Sequence, residues 1–402
     1  MKIAVWLNHD MLPEEGGAFT FTQSLIKMLD EENFAVDIVF IAYKNFGTRL
    51  RLNKKTIFLN EHFTPTVYLY KLLRRVFKNS VALEKILSRK INKATEQLIY
   101  KFGIDCIYYP NQTEREISVV PFIATNWDLG HLLLNDYPEF KEDGQDEKRR
   151  QWYSDEIHEA KLIAVESEAG KNEVTQLLKI PAEKICVVPL FATNNAQNNL
   201  NESTIKETLD KYRLVKEKYL YYPAQYWKHK NHATLVEAFK KFSGEHADYK
   251  LVFSGADKGE LIHIKNQIAE LKLEEKILCL GFISSGEKNI LLQNCLCLAM
   301  PTLLGPTNLP PLEAMEYGIL TICSDLAGHR EMMGEGALYF NPYSAQEMEE
   351  AMEKIIQTPL RSALIEKLQK QKANSKFSYG GAKKGLTELF VKAKIFFDRS
   401  NQ

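Results

Sequence analysis

Lys2-Ile3-Ala4-Val5-Trp6-Leu7 leads into the loop Met11-Leu12-Pro13-Glu14-Glu15-Gly16-Gly17, then Phe21, Leu25, Met28 and Leu29 fall at helical spacing, and an apolar run follows from Phe34 to Ala42. The first run is too short for a helix and reads as a buried strand. The i, i+4, i+7, i+8 spacing lays one apolar stripe along a helix, and the last run is a second strand. The result is a strand–helix–strand unit with a glycine loop at its first crossover, the building block of a parallel sheet wrapped by helices.

The same alternation continues. Strands are predicted at Asp105 to Tyr109, Phe122 to Thr125, Leu162 to Val165 and Ile185 to Val188. From Phe191 to Asn201 the chain is poor in charge and rich in Asn, which suits a linker. A second alternation has strands at Tyr219 to Tyr222, Lys250 to Ser254, Ile277 to Leu280, Cys295 to Met300 and Ile319 to Ser324. Between them, Ala233 to Phe242 reads as a helix with Leu235, Ala238, Phe239 and Phe242 on one face. At 402 residues the chain exceeds what one core usually spans. The expectation is an α/β protein of two Rossmann-like parallel-sheet domains facing a cleft, with domains at 1–190 and 216–375 and a linker over 191–215.

Charge and composition exclude several classes. The 52 Lys plus Arg balance 52 Asp plus Glu, so a globally electrostatic nucleic-acid binder is not expected. No apolar stretch is long enough to cross a bilayer and the chain opens on a strand rather than a cleavable signal, so the expected location is the cytosol. Cys106, Cys186, Cys279, Cys295, Cys297 and Cys323 form no CxxC pair and have no His at zinc-ligand spacing. They read as reduced packing residues, with Cys295 and Cys297 on one strand face as a metal pair the alternative.

One segment breaks the balance. Between Ile41 and Tyr100 there are 13 Lys or Arg against three acids, a net +10. Within it Leu69, Leu72, Leu73, Val76 and Phe77 follow helical spacing, and Lys71, Arg74, Arg75 and Lys78 occupy the other side. Such a helix either meets an anionic membrane surface or an acidic acceptor, or simply packs on its sheet with its charges solvated.

Four loops carry residues suited to chemistry. Gly16-Gly17 lies at the carboxyl end of the first strand and before a helix, where it either cradles an anion or makes a plain tight turn. Thr125-Asn126-Trp127-Asp128-Leu129-Gly130-His131 leaves another strand end; Asp128 and His131 either handle sugar hydroxyls and protons, or serve as a helix cap and a surface residue. In Pro301 to Glu316, Pro310-Pro311 opens a helix whose start can seat a diphosphate and whose Glu313 can clasp a vicinal diol. Tyr222 to His232 brings Lys228 and Lys230 to the same edge, where either can neutralise a diphosphate.

Pro-Pro-Leu-Glu-Ala-Met, Ala-Gln-Tyr-Trp-Lys-His-Lys-Asn-His, Leu-Gly-Phe-Ile-Ser and Ser-Asp-Leu-Ala-Gly-His-Arg-Glu, in this order, resemble the retaining GT-B glycosyltransferases of family 4, the group 1 glycosyl transferases. Phe377-Ser378-Tyr379 and the helix after it resemble the family's tail, so 376–402 is expected to cross back onto the first domain. The resemblance implies metal-independent transfer of a hexose from a GDP-, UDP- or dTDP-sugar to a glycan or lipid-linked saccharide, with retention and without a resident cofactor. It implies that Glu313 holds the ribose, and that Lys230 with loop N–H groups around Thr307, Asn308 and Leu309 holds the diphosphate. Phe282 and Ile283 would flank the base, Gly16 and Gly17 would let the first domain approach the phosphates, and His131 and Asp128 would face the donor sugar.

The chain departs from that pattern at three positions. The first of the family's two glutamates is Gly305, the arginine expected five residues before Lys230 is Gln225, and the histidine expected before Asp128 is Trp127. Their contacts then fall to backbone, Lys228, Asn308 or His131. The competing reading is a non-catalytic GT-B subunit that binds nucleotide or a partner.

Overall fold

The computed structural model describes residues 1–7, 16–43, 51–59, 96–113, 115, 117, 119–141, 152–192 and 201–400. Their strands form two sheets, every pair parallel. The first contains β1 (Lys2–Leu7), β2 (Asp37–Tyr43), β3 (Thr56–Leu59), β4 (Cys106–Tyr108), β5 (Phe122–Asn126), β6 (Leu162–Val165) and β7 (Ile185–Val187), in the order β3-β2-β1-β4-β5-β6-β7. The second contains β8 (Tyr219–Pro223), β9 (Lys250–Ser254), β10 (Ile277–Cys279), β11 (Cys297–Met300), β12 (Thr321–Ser324) and β13 (Ala337–Phe340), in the order β10-β9-β8-β11-β12-β13. Each order reverses beside its first strand, so each sheet has a switch point at which carboxyl-end loops diverge and leave a crevice.

The helices that matter for the site are α1 (Gly17–Glu31), α2 (Gly130–Leu133), α3 (Glu168–Leu178), α4 (Glu202–Lys211), α5 (His232–Glu245), α6 (Leu261–Glu270), α7 (Ser285–Asn294), α8 (Leu309–Glu316), α9 (Ala327–Met333), α10 (Ala345–Ile356), α11 (Thr358–Asn374) and α12 (Tyr379–Ser400). In α1 the expected stripe is the buried one, Phe21, Leu25, Met28 and Leu29. In α5, Leu235, Ala238, Phe239 and Phe242 are fully buried.

Four differences from the sequence reading have local causes. β3 and β13 are additional strands of four residues each, too short to display a period. Residues 202–211, read as linker, are helical because the Asn201 side chain caps them, accepting from the Thr204 N–H at 2.8 Å. Cys295 ends α7 instead of opening β11, and its Sγ donates to the Leu292 carbonyl at 3.1 Å. It therefore shares no strand face with Cys297, and the metal-pair alternative loses its geometry; burial instead pushes the Cys297 thiol up to about 12.

The last helix returns to the first domain. In α12, Ala382, Leu386, Leu389 and Phe390 are buried, with the Phe390 ring edge-on to Phe34 and Tyr108 at centroid distances of 5.3 and 5.8 Å. Gly385 permits the approach: a Cβ there would stand 2.5 Å from the Val187 carbonyl oxygen. Lys383 Nζ lies 2.6 Å from Glu32, whose carboxyl it holds below the usual range. No helix among the described residues is long and apolar enough to cross a membrane. Lys71, Arg74, Arg75 and Lys78 lie outside the described residues, as do Met11 to Glu15.

Candidate active site

A cleft of about 1110 Å³ opens between the carboxyl ends of the two sheets. The first domain contributes Gly16, Gly17, Trp127, Asp128, Glu139 and Glu166. From the second come the loops after β8, β9, β10 and β11.

Glu313 sits one turn into α8 and lines the cleft, its side chain 11 % exposed. Both carboxylate oxygens accept from Lys288 Nζ, at 2.7 and 2.9 Å. Lys288 is on α7, which a Ser284–Glu287 capping box starts just after Phe282 and Ile283 on the cleft rim. Pro310 and Pro311 preset the first turn of α8, yet they remove two of the donors a helix start ordinarily offers. A third expected donor is engaged: the Thr307 N–H donates to Glu166 Oε1 at 2.9 Å. The anion seat at this helix is thus narrower than the sequence suggested and leans on side chains.

Lys230 supplies the main one. Its Nζ donates to Asn308 Oδ1 at 3.2 Å across the cleft floor. Burial pulls the ammonium down to about 8, against the opposing pull of Asp128, Glu166 and Glu139. Lys228 is different: it is exposed, outside the cleft lining, with Nζ 5.8 Å from the Tyr137 ring centroid. The Lys228–Lys230 turn is a 3-10 turn, so side chains two apart point about 240° from each other. Only one of the two lysines can face inward.

Gln225 lines the cleft with its carbonyl accepting from Trp227 Nε1 at 2.9 Å. Gly16, at φ 70°, and Gly17 bring α1 close to the second domain: Cβ atoms there would lie 3.7 Å from Gln225 Nε2 and 3.2 Å from Leu309 Cδ1. Gly305 holds φ 113°, and a Cβ would come within 2.9 Å of the Thr307 carbonyl. A glutamate at this position would be strained, so the departure from the family pattern is built into the backbone.

Asp128 lines the cleft, and one of its oxygens accepts at 2.9 Å from the N–H of Gly130, the first residue of α2, whose N-cap position is Leu129. His131 does not line the cleft. It is buried behind the wall, its ring stacked on Tyr153 at 4.3 Å. A loop leaving a strand end can project into the crevice or fold behind it, and the spacing from Asp128 does not distinguish the two.

Sequence reasoning missed the carboxylates that join the domains. Glu166 is buried against Thr307, and burial, reinforced by Asp128 and Glu173, pushes its carboxyl up to about 8. Glu139 Oε1 accepts from the His229 N–H at 2.9 Å and faces His229 Nδ1 at 2.8 Å. Although burial opposes it, these bonds hold Glu139 below the usual carboxylate range. From the other side, Glu331 of α9 accepts from the Glu168 and Ala169 N–H groups at the start of α3, both at 2.8 Å. The one available signal was position: Glu166 directly follows β6, a carboxyl end like those already weighed.

Residues 205–376 match the family model described as glycosyl transferases group 1. Relatives include the O-antigen chain mannosyltransferase RfbU of Salmonella typhimurium, 25% identical over 203 residues, 50% of this chain and 53% of that protein. The alpha-1,3/1,6-mannosyltransferase ALG2 of Dictyostelium discoideum is 27% identical over 205 residues, 46% of this chain and 49% of that one. The chain thus spans about half the length of these relatives. Among solved structures, a glycosyltransferase from Rickettsia africae aligns over 98% of both chains with a TM-score of 0.68 at 16% identity. Anabaena HepE in complex with UDP-glucose aligns over 97% of this chain and 99% of that one, with a TM-score of 0.69 at 16% identity. Residues 205–376 of the second domain are thus similar to the glycosyl transferases group 1, and the two parallel-sheet domains share the GT-B fold of these solved structures.

Proposed function

We propose that the chain is a glycosyltransferase that moves a hexose from a nucleotide-diphosphate sugar to a hydroxyl of a glycan or lipid-linked saccharide, in surface polysaccharide synthesis, with retention and without a required metal. The observation that carries this reading is the grouping of Lys230, Asn308 and Glu313 on one wall of an interdomain cleft, opposite Gly16 and Gly17. A lysine whose neighbours are arranged before substrate arrives is worth most where charge develops on a departing diphosphate. Glu313 offers two acceptors at the spacing of a ribose diol once Lys288 turns aside.

In this scheme the bond from the sugar anomeric carbon to the diphosphate oxygen breaks and the electron pair leaves with the diphosphate. The acceptor hydroxyl forms its bond to that carbon on the same face, and its proton passes to a diphosphate oxygen. No glycosidase-like pair of carboxylates is needed. A mannosyl donor heads the panel to be screened, because RfbU and ALG2 are named mannosyltransferases; GDP-, UDP- and dTDP-linked sugars follow. The basic stretch Lys71, Arg74, Arg75 and Lys78 would hold the enzyme at an anionic membrane face on the cytosolic side, and neutralising all four should reduce co-sedimentation with anionic vesicles.

Turnover, followed as released nucleoside diphosphate, should persist in excess EDTA. Abolition by EDTA and recovery with Mg²⁺ or Mn²⁺ would remove the metal-free part of the scheme. Release of diphosphate with no donor in the panel, despite measurable nucleotide binding, would instead favour a non-catalytic subunit. Glu313→Ala should weaken donor binding by about 2 kcal/mol, roughly 30-fold, as expected for a lost charged two-point contact. Titration calorimetry giving an unchanged Kd would refute the ribose assignment.

A further inference from the structure

We infer that His329 is a positioning residue for Lys230: its imidazole, fixed in one tautomer by a backbone carbonyl, sets the amide of Asn308 so that the amide oxygen, not the nitrogen, faces the ammonium. The inference rests on the transferase reading of Lys230 and assigns a role to a buried residue one contact behind the cleft lining.

His329 lies on α9 and is fully buried. Its Nδ1 is 2.8 Å from the carbonyl oxygen of Ser324, at the end of β12. A carbonyl only accepts, so Nδ1 carries the proton and Nε2 presents a lone pair. That lone pair is 3.0 Å from Asn308 Nδ2, so the Asn308 amide must turn its nitrogen there. Its second N–H then points along the 3.5 Å separation to the Leu304 carbonyl. One amide orientation remains, and it puts Oδ1 3.2 Å from Lys230 Nζ. The flipped amide would set oxygen against a lone pair and NH2 against an ammonium.

The neutral ring is consistent with its surroundings. Burial, with Lys230 nearby, pulls the imidazole down to about 4, while the Ser324 carbonyl and Asp325 act the other way. Lys230 itself is faced by Asp128, Glu166 and Glu139 from the first domain and lies beside His229 and His232 of its own. Those groups set its baseline, and Asn308 Oδ1 adds a directed acceptor that favours the charged form.

Two measurements test the chain of bonds. Nitrogen-15 imidazole NMR of the wild-type protein should show His329 as the neutral Nδ1–H tautomer from pH 6 to pH 8; an Nε2–H tautomer or a protonated ring would overturn the inference, whatever the activity. For the functional part, His329→Leu should raise the donor KM and lower kcat/KM by about tenfold, the loss of one oriented charged contact. Its alkaline limb should also move to lower pH by about half a unit, because the ammonium loses an acceptor. His329→Gln, whose carbonyl can accept from Asn308, should restore both. Leu and Gln variants with the same limb and the same KM would overturn the positioning role. If the wild type transfers no sugar from any donor, the transferase reading falls, while the tautomer spectrum still decides the bond chain.

Discussion

Lys230→Ala should lower kcat by about two to three orders of magnitude, the usual cost of removing one preorganised group that stabilises developing charge. Lys230 is the described ammonium that reaches the cleft floor from the loop after β8, and it is held there by Asn308 before any donor arrives. In the proposed scheme the ammonium receives the leaving diphosphate only while charged, so wild-type activity should fall as pH rises through about 8, where burial sets this group. The sign follows from the cation: a lowered pKa removes its charge earlier on the alkaline side. Alanine should abolish that limb together with the rate, and circular dichroism should show an unchanged fold, since the variant removes a buried charge rather than a packing group. Sugar-transfer rates within threefold of wild type would exclude Lys230 from the chemistry.

Gly328→Ala carries the second large effect, this time on the architecture behind the site. A Cβ at this position would stand 1.0 Å from the carbonyl oxygen of Pro306, a clash that no side-chain rotation relieves. Either α9 retreats or the loop from Gly305 to Asn308 moves. The helix start carries His329 and the loop carries Asn308, so both routes break the bonds that aim Lys230. Overpacking of this kind costs about 3 kcal/mol, and urea unfolding of the variant should show it, together with activity at least as low as that of His329→Leu. A stable, fully active Gly328→Ala protein would mean that the loop is not held by this contact.

Much of the frame was legible because apolar periodicity is a local property. The β1–α1–β2 unit, the α5 face and the alternation of two halves all follow from residues close in sequence. Glu313 and Lys230 were found by position at strand ends, an argument that needs only local order. What escaped it depends on distance. Lys288 and Glu313 are 25 residues apart, Glu166 and Thr307 are 141 apart, and only the folded chain brings them together. His131 and Lys228 show the reverse: both sit on the right loops, and one fold of the loop or one turn of 3-10 helix sends the side chain elsewhere.

The carboxylates of Glu139, Glu166 and Glu331 all end on backbone N–H groups of the opposite domain. Bonds of this kind can be handed to solvent when the halves separate, since each freed amide and each freed oxygen finds a water molecule of comparable strength. Apolar contacts of the same seam, such as Leu309 against Gly17, have to be wetted to part, whereas these bonds trade partners. On the transferase reading proposed above, bonds that trade partners in this way would let the halves part to admit a charged donor and release a spent diphosphate through the same gap.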